Sequence, residues 1–276
     1  MDQFGEFEPS NAASGEVLGR LDDEHPRWSG VVHLRKEATP TQDDPAGGYR
    51  GELMAKALSK EESGLTRLRQ LRTWGATAGK SFPWRESEDA WLVFVAEMLL
   101  RRTRAPQVAA LLPNVLTEFP DPAALAEAGP SHVDEVFRSA GLTGRIRQLQ
   151  EAAQEMRNRH GGAVPVDNDD LMALTGVGPY VASIVSSRLS GSEVILVDTN
   201  SVRVAIRVLG VEPTTKDFRR ERQVVEAVGR LLGGPVPAGD WFNVIDLAHM
   251  VCTPKEPDCE ICPLAFDCQF FASTGS

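Results

Sequence analysis

The 276-residue chain has no long apolar run. Nothing in it approaches the roughly 18 to 20 residues of a membrane-crossing helix, so no membrane partner is expected. The opening residues, MDQFGEFEPS, are acidic and offer neither the basic nor the apolar region of an export signal, which points to a cytoplasmic protein. Positive charge is short as well, with 29 Lys and Arg against 39 Asp and Glu and a formal net charge of -10. That balance argues against binding a polyanion by bulk attraction and leaves only a local basic patch to do so. The deficit is uneven: residues 1–63 hold 7 basic and 13 acidic side chains, leaving 22 and 26 for the remainder.

Strand-like alternation is nearly missing. From about Leu65 onward apolar residues recur at helical spacing, which predicts an all-α body. In AWLVFVAEMLL, Trp91, Phe94, Val95 and Met98 fall at i, i+3, i+4 and i+7, and Leu92 and Leu99 widen the stripe. Further helices are predicted over Pro106–Glu118, Pro122–Ala128, His132–Ser139, Ile146–Arg159, Asp169–Leu174, Pro179–Leu189, Thr199–Leu209 and Lys216–Leu232. Pro and Gly separate many of them, as in FPDP and LGGPVPAGD. Residues 1–63 read as a flexible acidic extension of unknown role, with one short element at Trp28–Leu34; 64–268 form the body and 269–276 a short tail.

Cysteine is scarce and crowded. Cys252, Cys259, Cys262 and Cys268 follow the pattern Cys-x6-Cys-x2-Cys-x5-Cys within the last 25 residues. Without an export signal such crowding points to a metal or cluster site, because cytosolic disulfides are uncommon. Four thiolates suit either zinc or a four-iron, four-sulfur cluster, and the spacing does not choose between them.

The stretch MALTGVGPYVASIV, Met172–Val185, pinches two apolar helical runs together around Gly176, Val177 and Gly178. The glycines permit positive φ and close backbone approach, and Pro179 suits the first turn of the next helix. Outward N–H groups with a helix N-terminus behind them make an anion site that fits a nucleic acid phosphate; tight helix packing is the other reading. Twenty residues past Gly178, Asp198 in VILVDTNSVRV ends an apolar run and opens a helical pattern, as an N-cap does. Beside a phosphate-binding hairpin it is also a carboxylate placed against a nucleic acid backbone. Glu97 lies inside the apolar AWLVFVAEMLL run. It is either buried with a raised pKa or a partner, or it pairs with Arg101 at i+4 on the helix surface.

Together, LTGVGPY, the aspartate of VDTNSVRV and the four-cysteine pattern resemble the helix-hairpin-helix DNA glycosylases of the endonuclease III superfamily, over about Leu65 to Cys268. The resemblance implies a two-lobed, all-helical fold: a six-helix lobe with the hairpin, a second lobe carrying the cluster, and a DNA groove between them. It also makes the four cysteines ligands of a 4Fe-4S cluster. Two further stretches, FPWR at Phe82–Arg85 and AEMLLRRT at Ala96–Thr103, are similar to the branch holding adenine-mismatch and thymine or uracil mismatch glycosylases. Arg101, Arg102 and Thr103 resemble the thymine form, whereas adenine enzymes usually carry two glutamines before the threonine. Adenine enzymes also commonly add a C-terminal domain, and the sequence stops 8 residues beyond Cys268.

The resemblance therefore implies a monofunctional glycosylase of base excision repair, a monomer working with the bacterial-type nucleoid on double-stranded DNA that carries a mispaired or modified base. Thymine or uracil opposite guanine is the expected target. The alternatives are an adenine or modified-pyrimidine glycosylase of the same fold, or a catalytically silent DNA-binding protein. Asp198 falls on the family's catalytic aspartate and Glu97 on the glutamate that handles the target base. Tyr180 stands where bifunctional members place a lysine, and a phenol cannot form the imine that strand cleavage requires. Arg101, Arg102 and Thr103 are expected to fill the gap left by the base or to contact the opposite guanine, a solvated basic face being the bland alternative. Asn200 and Arg203 are expected to support Asp198 or the adjacent phosphate.

Two departures from the family stand out. The loop between the first two cysteines, often basic in relatives, reads TPKEPD, which shifts DNA affinity toward Arg67, Arg69, Arg72, Arg145 and Arg147. The segment GLTGRIRQL is also shorter than its usual counterpart.

Overall fold

Acidic residues do much of the work of starting helices. In the computed structural model, which describes residues 47–274 except 102, 139–142, 216–217 and 219–220, Asp89 caps α3 (Ala90–Leu100) by accepting from the Trp91 and Leu92 N–H groups. Asp121 caps α5 (Pro122–Glu127) and Asp167 caps α8 (Asn168–Met172) in the same way. Each such cap is worth about 1 kcal/mol, so part of the acidic excess is structural. Proline at the first or second position helps open α2 (Pro83–Glu86), α4 (Ala105–Glu118), α6 (Pro130–Val136) and α9 (Pro179–Ser190), where its missing N–H costs nothing.

The remaining helices are α1 (Gly47–Ala78), α7 (Thr143–Arg159), α10 (Thr199–Leu209), α11 (Arg222–Leu231), α12 (Ala238–Met250) and α13 (Gln269–Thr274). The body is mostly helical. Its one sheet among the described residues is a two-residue antiparallel pairing, Glu193–Val194 with Val236–Pro237. The boundary drawn after residue 63 falls inside α1, whose segment ELMAKALSKEE is rich in strong helix formers and carries the helix through. The rest of the acidic extension, including the element at Trp28–Leu34, lies outside the described residues, as do Arg102, Ser139, Lys216 and the side chain of Arg145. No helix among the described residues is long and apolar enough to cross a membrane.

Two hydrophobic cores result. One gathers α3 to α9 around Phe94, Leu112, Phe119, Leu149, Met156 and Leu171. The other gathers the C-terminal half of α1 with α10, α11 and α12 around Leu71, Val204, Leu231, Trp241 and Leu247. Helix α9 belongs to both, because Val181, Ala182 and Val185 pack into the first core while Ile184 packs into the second. Tyr180, at its start, touches both cores and marks the seam between the lobes.

Candidate active site

The hairpin is pinned before anything binds it. Gly176 sits at φ 78°, a left-handed conformation that glycine adopts without strain, and an added Cβ there would lie 2.8 Å from Gln148 Cβ. Thr175 donates its N–H and hydroxyl to the Glu155 carboxylate at 2.8 and 3.0 Å, tying the turn to α7. Arg101, exposed just past α3, donates to the Gly176 carbonyl. Gly178 has an ordinary φ of -108° and nothing within 4 Å of where a Cβ would stand. The N–H groups of Gly178, Tyr180 and Val181 donate to nothing among the described residues. Three free donors at the N-terminus of a twelve-residue helix form a site that attracts an anion.

Asp198 stands at the N-terminus of α10, in the other lobe. Its Oδ1 accepts the Ser201 N–H at 2.7 Å while the Ser201 hydroxyl accepts the Asp198 N–H at 2.9 Å, a reciprocal capping box. Its Oδ2 accepts from Asn200 Nδ2 at 2.9 Å, and Asn200 Oδ1 in turn accepts from Arg203 at 3.1 Å. Arg203 is turned inward, 8% exposed, and spends its other donors on the carbonyls of Cys252 and Ala248 at 2.9 and 2.8 Å. It therefore reaches Asp198 through Asn200 and links that carboxylate to the cysteine loop. Burial lowers the Arg203 pKa, against the pull of Cys252 and Asp198.

Glu97 lies on the first-core side of the seam. It is 3% exposed on α3 and takes no hydrogen bond among the described residues. The surface pair with Arg101 is not formed. Burial pushes the Glu97 carboxyl up to about 7, while Arg85 and Arg188 pull the other way. Both carboxylates bear on Tyr180: burial first, then Glu97 and Asp198, raise its phenol well above its ordinary range. The structure thus brings Glu97, Tyr180 and Asp198 together.

Several charged groups around this trio were not singled out in the sequence. Arg85 grips Asp246 of α12 with both terminal nitrogens, at 2.7 and 2.9 Å. Asp246 also accepts the Lys80 N–H at 2.8 Å and is 1% exposed. Arg188 donates to the Ser87 carbonyl at 3.0 Å and keeps a buried Nε without a partner among the described residues. Two arginines expected to serve DNA are occupied: Arg67 is buried and paired with Asp267, and Arg72 pairs with Asp240. Arg69 and Arg147 are exposed. Thr103 is half-buried beside the C-terminus of α3, its N–H on the Leu100 carbonyl at 3.3 Å.

No disulfide joins the four cysteines, and all four line one pocket that opens to solvent. Arg207, 7% exposed, lines it too, reaching Cys252 Sγ at 3.4 Å and leaving a buried Nε without a partner among the described residues. Burial pushes the Cys262 thiol up to about 11 and raises Cys259 and Cys268, with mutual repulsion of the sulfurs adding to it. No three His, Cys, Asp or Glu side chains among the described residues converge as a single ion requires.

A profile described as the HhH-GPD superfamily of base excision DNA repair proteins matches residues 95–228, which take in Glu97, the hairpin and Asp198. A thymine-DNA glycosylase of Aeropyrum pernix is 35% identical over 207 residues, spanning 74% of this chain and 93% of that protein. The chain belongs to the HhH-GPD superfamily. Within it, an adenine DNA glycosylase of Mycolicibacterium smegmatis is 30% identical over 199 residues, covering 71% of this chain and 67% of that protein. The solved structure of a thermostable thymine-DNA glycosylase superposes with a TM-score of 0.68 at 25% identity, covering 77% of this chain and 98% of that one.

Proposed function

We propose that this HhH-GPD protein is a monofunctional DNA glycosylase that extrudes a mispaired base, thymine or uracil opposite guanine, and hydrolyses its bond to the sugar. The observation that carries the reading is the meeting of Glu97, Tyr180 and Asp198 at the lobe seam, with the free N–H groups of Gly178, Tyr180 and Val181 beside them. The hairpin grips a backbone phosphate, which sets the register of the duplex. Extrusion costs a few kcal/mol and least at a mismatch, which favours mispaired targets.

As the base departs, positive charge grows on the sugar. Asp198 stabilises that charge and then directs the attacking water, in the manner of a glycosidase carboxylate. Asn200 holds its Oδ2 in place. Glu97, whose carboxyl is pushed up to about 7 by burial, gives its proton to the departing base and regains one from solvent. Tyr180 stays a neutral phenol, so no imine forms and the strand is left uncut at an abasic site. One chain supplies every group named, so a monomer suffices.

Cys252, Cys259, Cys262 and Cys268 are the residues that would hold a 4Fe-4S cluster. Their four thiols line one pocket, and the buried Arg207 brings positive charge to it, its Nη1 reaching Cys252 Sγ at 3.4 Å. A bound cluster would hold the loop whose Cys252 carbonyl receives Arg203.

The test is to incubate purified protein with guanine-thymine, guanine-uracil and oxidised-guanine-adenine duplexes and count abasic sites with and without alkali. Excision from the first two, with strand breaks only after alkali, is the expected result. Adenine release alone would move the protein to the adenine branch, and borohydride-trapped strand cleavage would overturn the monofunctional reading. A brown protein whose visible absorbance bleaches on chelation would distinguish the cluster from zinc.

A further inference from the structure

Arg85 belongs to the FPWR stretch, whose chemistry the reaction above leaves unassigned. Its guanidinium crosses from one core to the other. Besides its two bonds to Asp246 it donates to the Lys80 carbonyl at 2.8 Å, and it lies over the rings of Phe82 and Phe242, 5.2 and 4.8 Å from their centroids. Helix α2 also packs on α3, where the charge of Arg85 bears on Glu97, buried and with no hydrogen bond among the described residues. The charged and titratable groups that bear on Glu97 are Arg85 from α2 and Arg188 and Tyr180 from α9; α4 and α7, also packed on α3, contribute none among the described residues. His249, one turn along α12, also senses Asp246, together with Lys80, Arg203 and Asp198.

The charge of Arg85 therefore bears on two carboxylates, and Arg85 is bonded to one of them. A guanidinium held at two points by a carboxylate has much of its charge cancelled at neighbouring sites, whereas a freed one would draw Glu97 into an ion pair. We propose that Asp246 is a positioning residue: by gripping Arg85 from the opposite lobe it keeps this cation from closing on Glu97, which stays able to carry the proton for the departing base. The inference rests on Glu97 being the proton donor. The grip also joins the lobes that carry Glu97 and Asp198.

Two substitutions should act in opposite directions. Asp246→Asn keeps the size and one acceptor but removes the counter-charge, so the pH above which single-turnover excision falls should drop by roughly one unit. Arg85→Gln leaves Asp246 without its cation, and the same limb should rise by a similar amount. If Arg85→Gln melts below the assay temperature, Arg85→Lys replaces it; that variant keeps the charge, loses the two-point grip and should move the limb down. A latch that only holds the lobes together would slow excision at every pH without moving the limb. Unmoved limbs, or Asp246→Asn and Arg85→Gln shifting the same way, overturn the proposal.

A second readout needs no activity. The melting temperature of each protein is compared with that of its Glu97→Gln counterpart across the acidic and neutral range. Glu97 stays protonated in the fold to a higher pH than in the unfolded chain, so its stabilising advantage falls between the ordinary carboxyl range and about 7. The upper end of that fall should move down in Asp246→Asn and up in Arg85→Gln. Shifted melting profiles without excision on any duplex would sink the proton-donor reading and leave the grip standing. Unshifted melting profiles with intact excision would sink the grip alone.

Discussion

Glu97 and Asp198 both bear on Tyr180 at the seam, yet the two lobes hold them in opposite ways. Glu97 comes from an apolar helix, buried and without a hydrogen bond among the described residues, and burial dominates its behaviour. Asp198 is half-buried at a helix N-terminus, with the Ser201 N–H and the Asn200 amide on its two oxygens. Burial favours the neutral acid of Glu97, while the two donors on Asp198 fix its carboxylate in place. One carboxylate is set up to carry a proton and the other to hold a fixed position against the sugar.

Breaking the Asp198 side should cost most. Asp198→Asn keeps a competent N-cap, so stability should change by less than about 1 kcal/mol. Excision measured in single turnover should nevertheless fall about a thousandfold, the upper end for removing one preorganised electrostatic group. Unchanged excision would remove Asp198 from the reaction. Glu97→Gln should cost less, about a hundredfold, as a lost general acid does. The wild-type rate should decline as pH rises through about 7, because the proton Glu97 donates is then lost. The variant should show no decline there, and a persisting limb would assign the proton to another group. Asn200→Ala removes a single donor from Asp198 Oδ2 and should slow excision about tenfold, the worth of one hydrogen bond to a charged group. A loss confined to KM would mean that Asn200 serves the phosphate instead.

The two sides also differed in how far they could be read in the sequence. Helix α10 has the limits expected from its apolar period and its aspartate cap, Thr199–Leu209, so Asp198 was legible together with its surroundings. The neighbours of Glu97 were not. Its cations come from α2 and α9, and the acid that holds Arg85 comes from α12, a helix hidden by the preceding LGGPVPAGD and by its own composition. Trp241, Phe242, Val244, Leu247 and Ala248 of α12 are all buried, so no polar face alternates with an apolar one to announce the period. Asp246 is 161 residues from Arg85 in the chain, and only the tertiary fold pairs them. Long-range ion pairs likewise absorbed Arg67 and Arg72, which the sequence left open for DNA.

The smallest expected effect tests whether both carboxylates depend on the same phosphate grip. Gly176 and Gly178 look alike in the sequence and differ in the fold. Gly176→Ala would place a side chain at φ 78° and 2.8 Å from Gln148, so it should destabilise the protein by roughly 1 to 2 kcal/mol of backbone strain before any DNA is added. Gly178→Ala meets no atom within 4 Å and needs no unusual φ, so its cost should stay below about 1 kcal/mol, that of a poorer N-cap. The added methyl would stand beside the free N–H groups of Gly178, Tyr180 and Val181, where a phosphate would sit. Duplex binding should weaken a few-fold, equally for matched and mismatched DNA, because a phosphate contact carries no sequence information. Titrations that show weaker binding to mismatched duplex alone would place Gly178 against the extruded base and not the backbone.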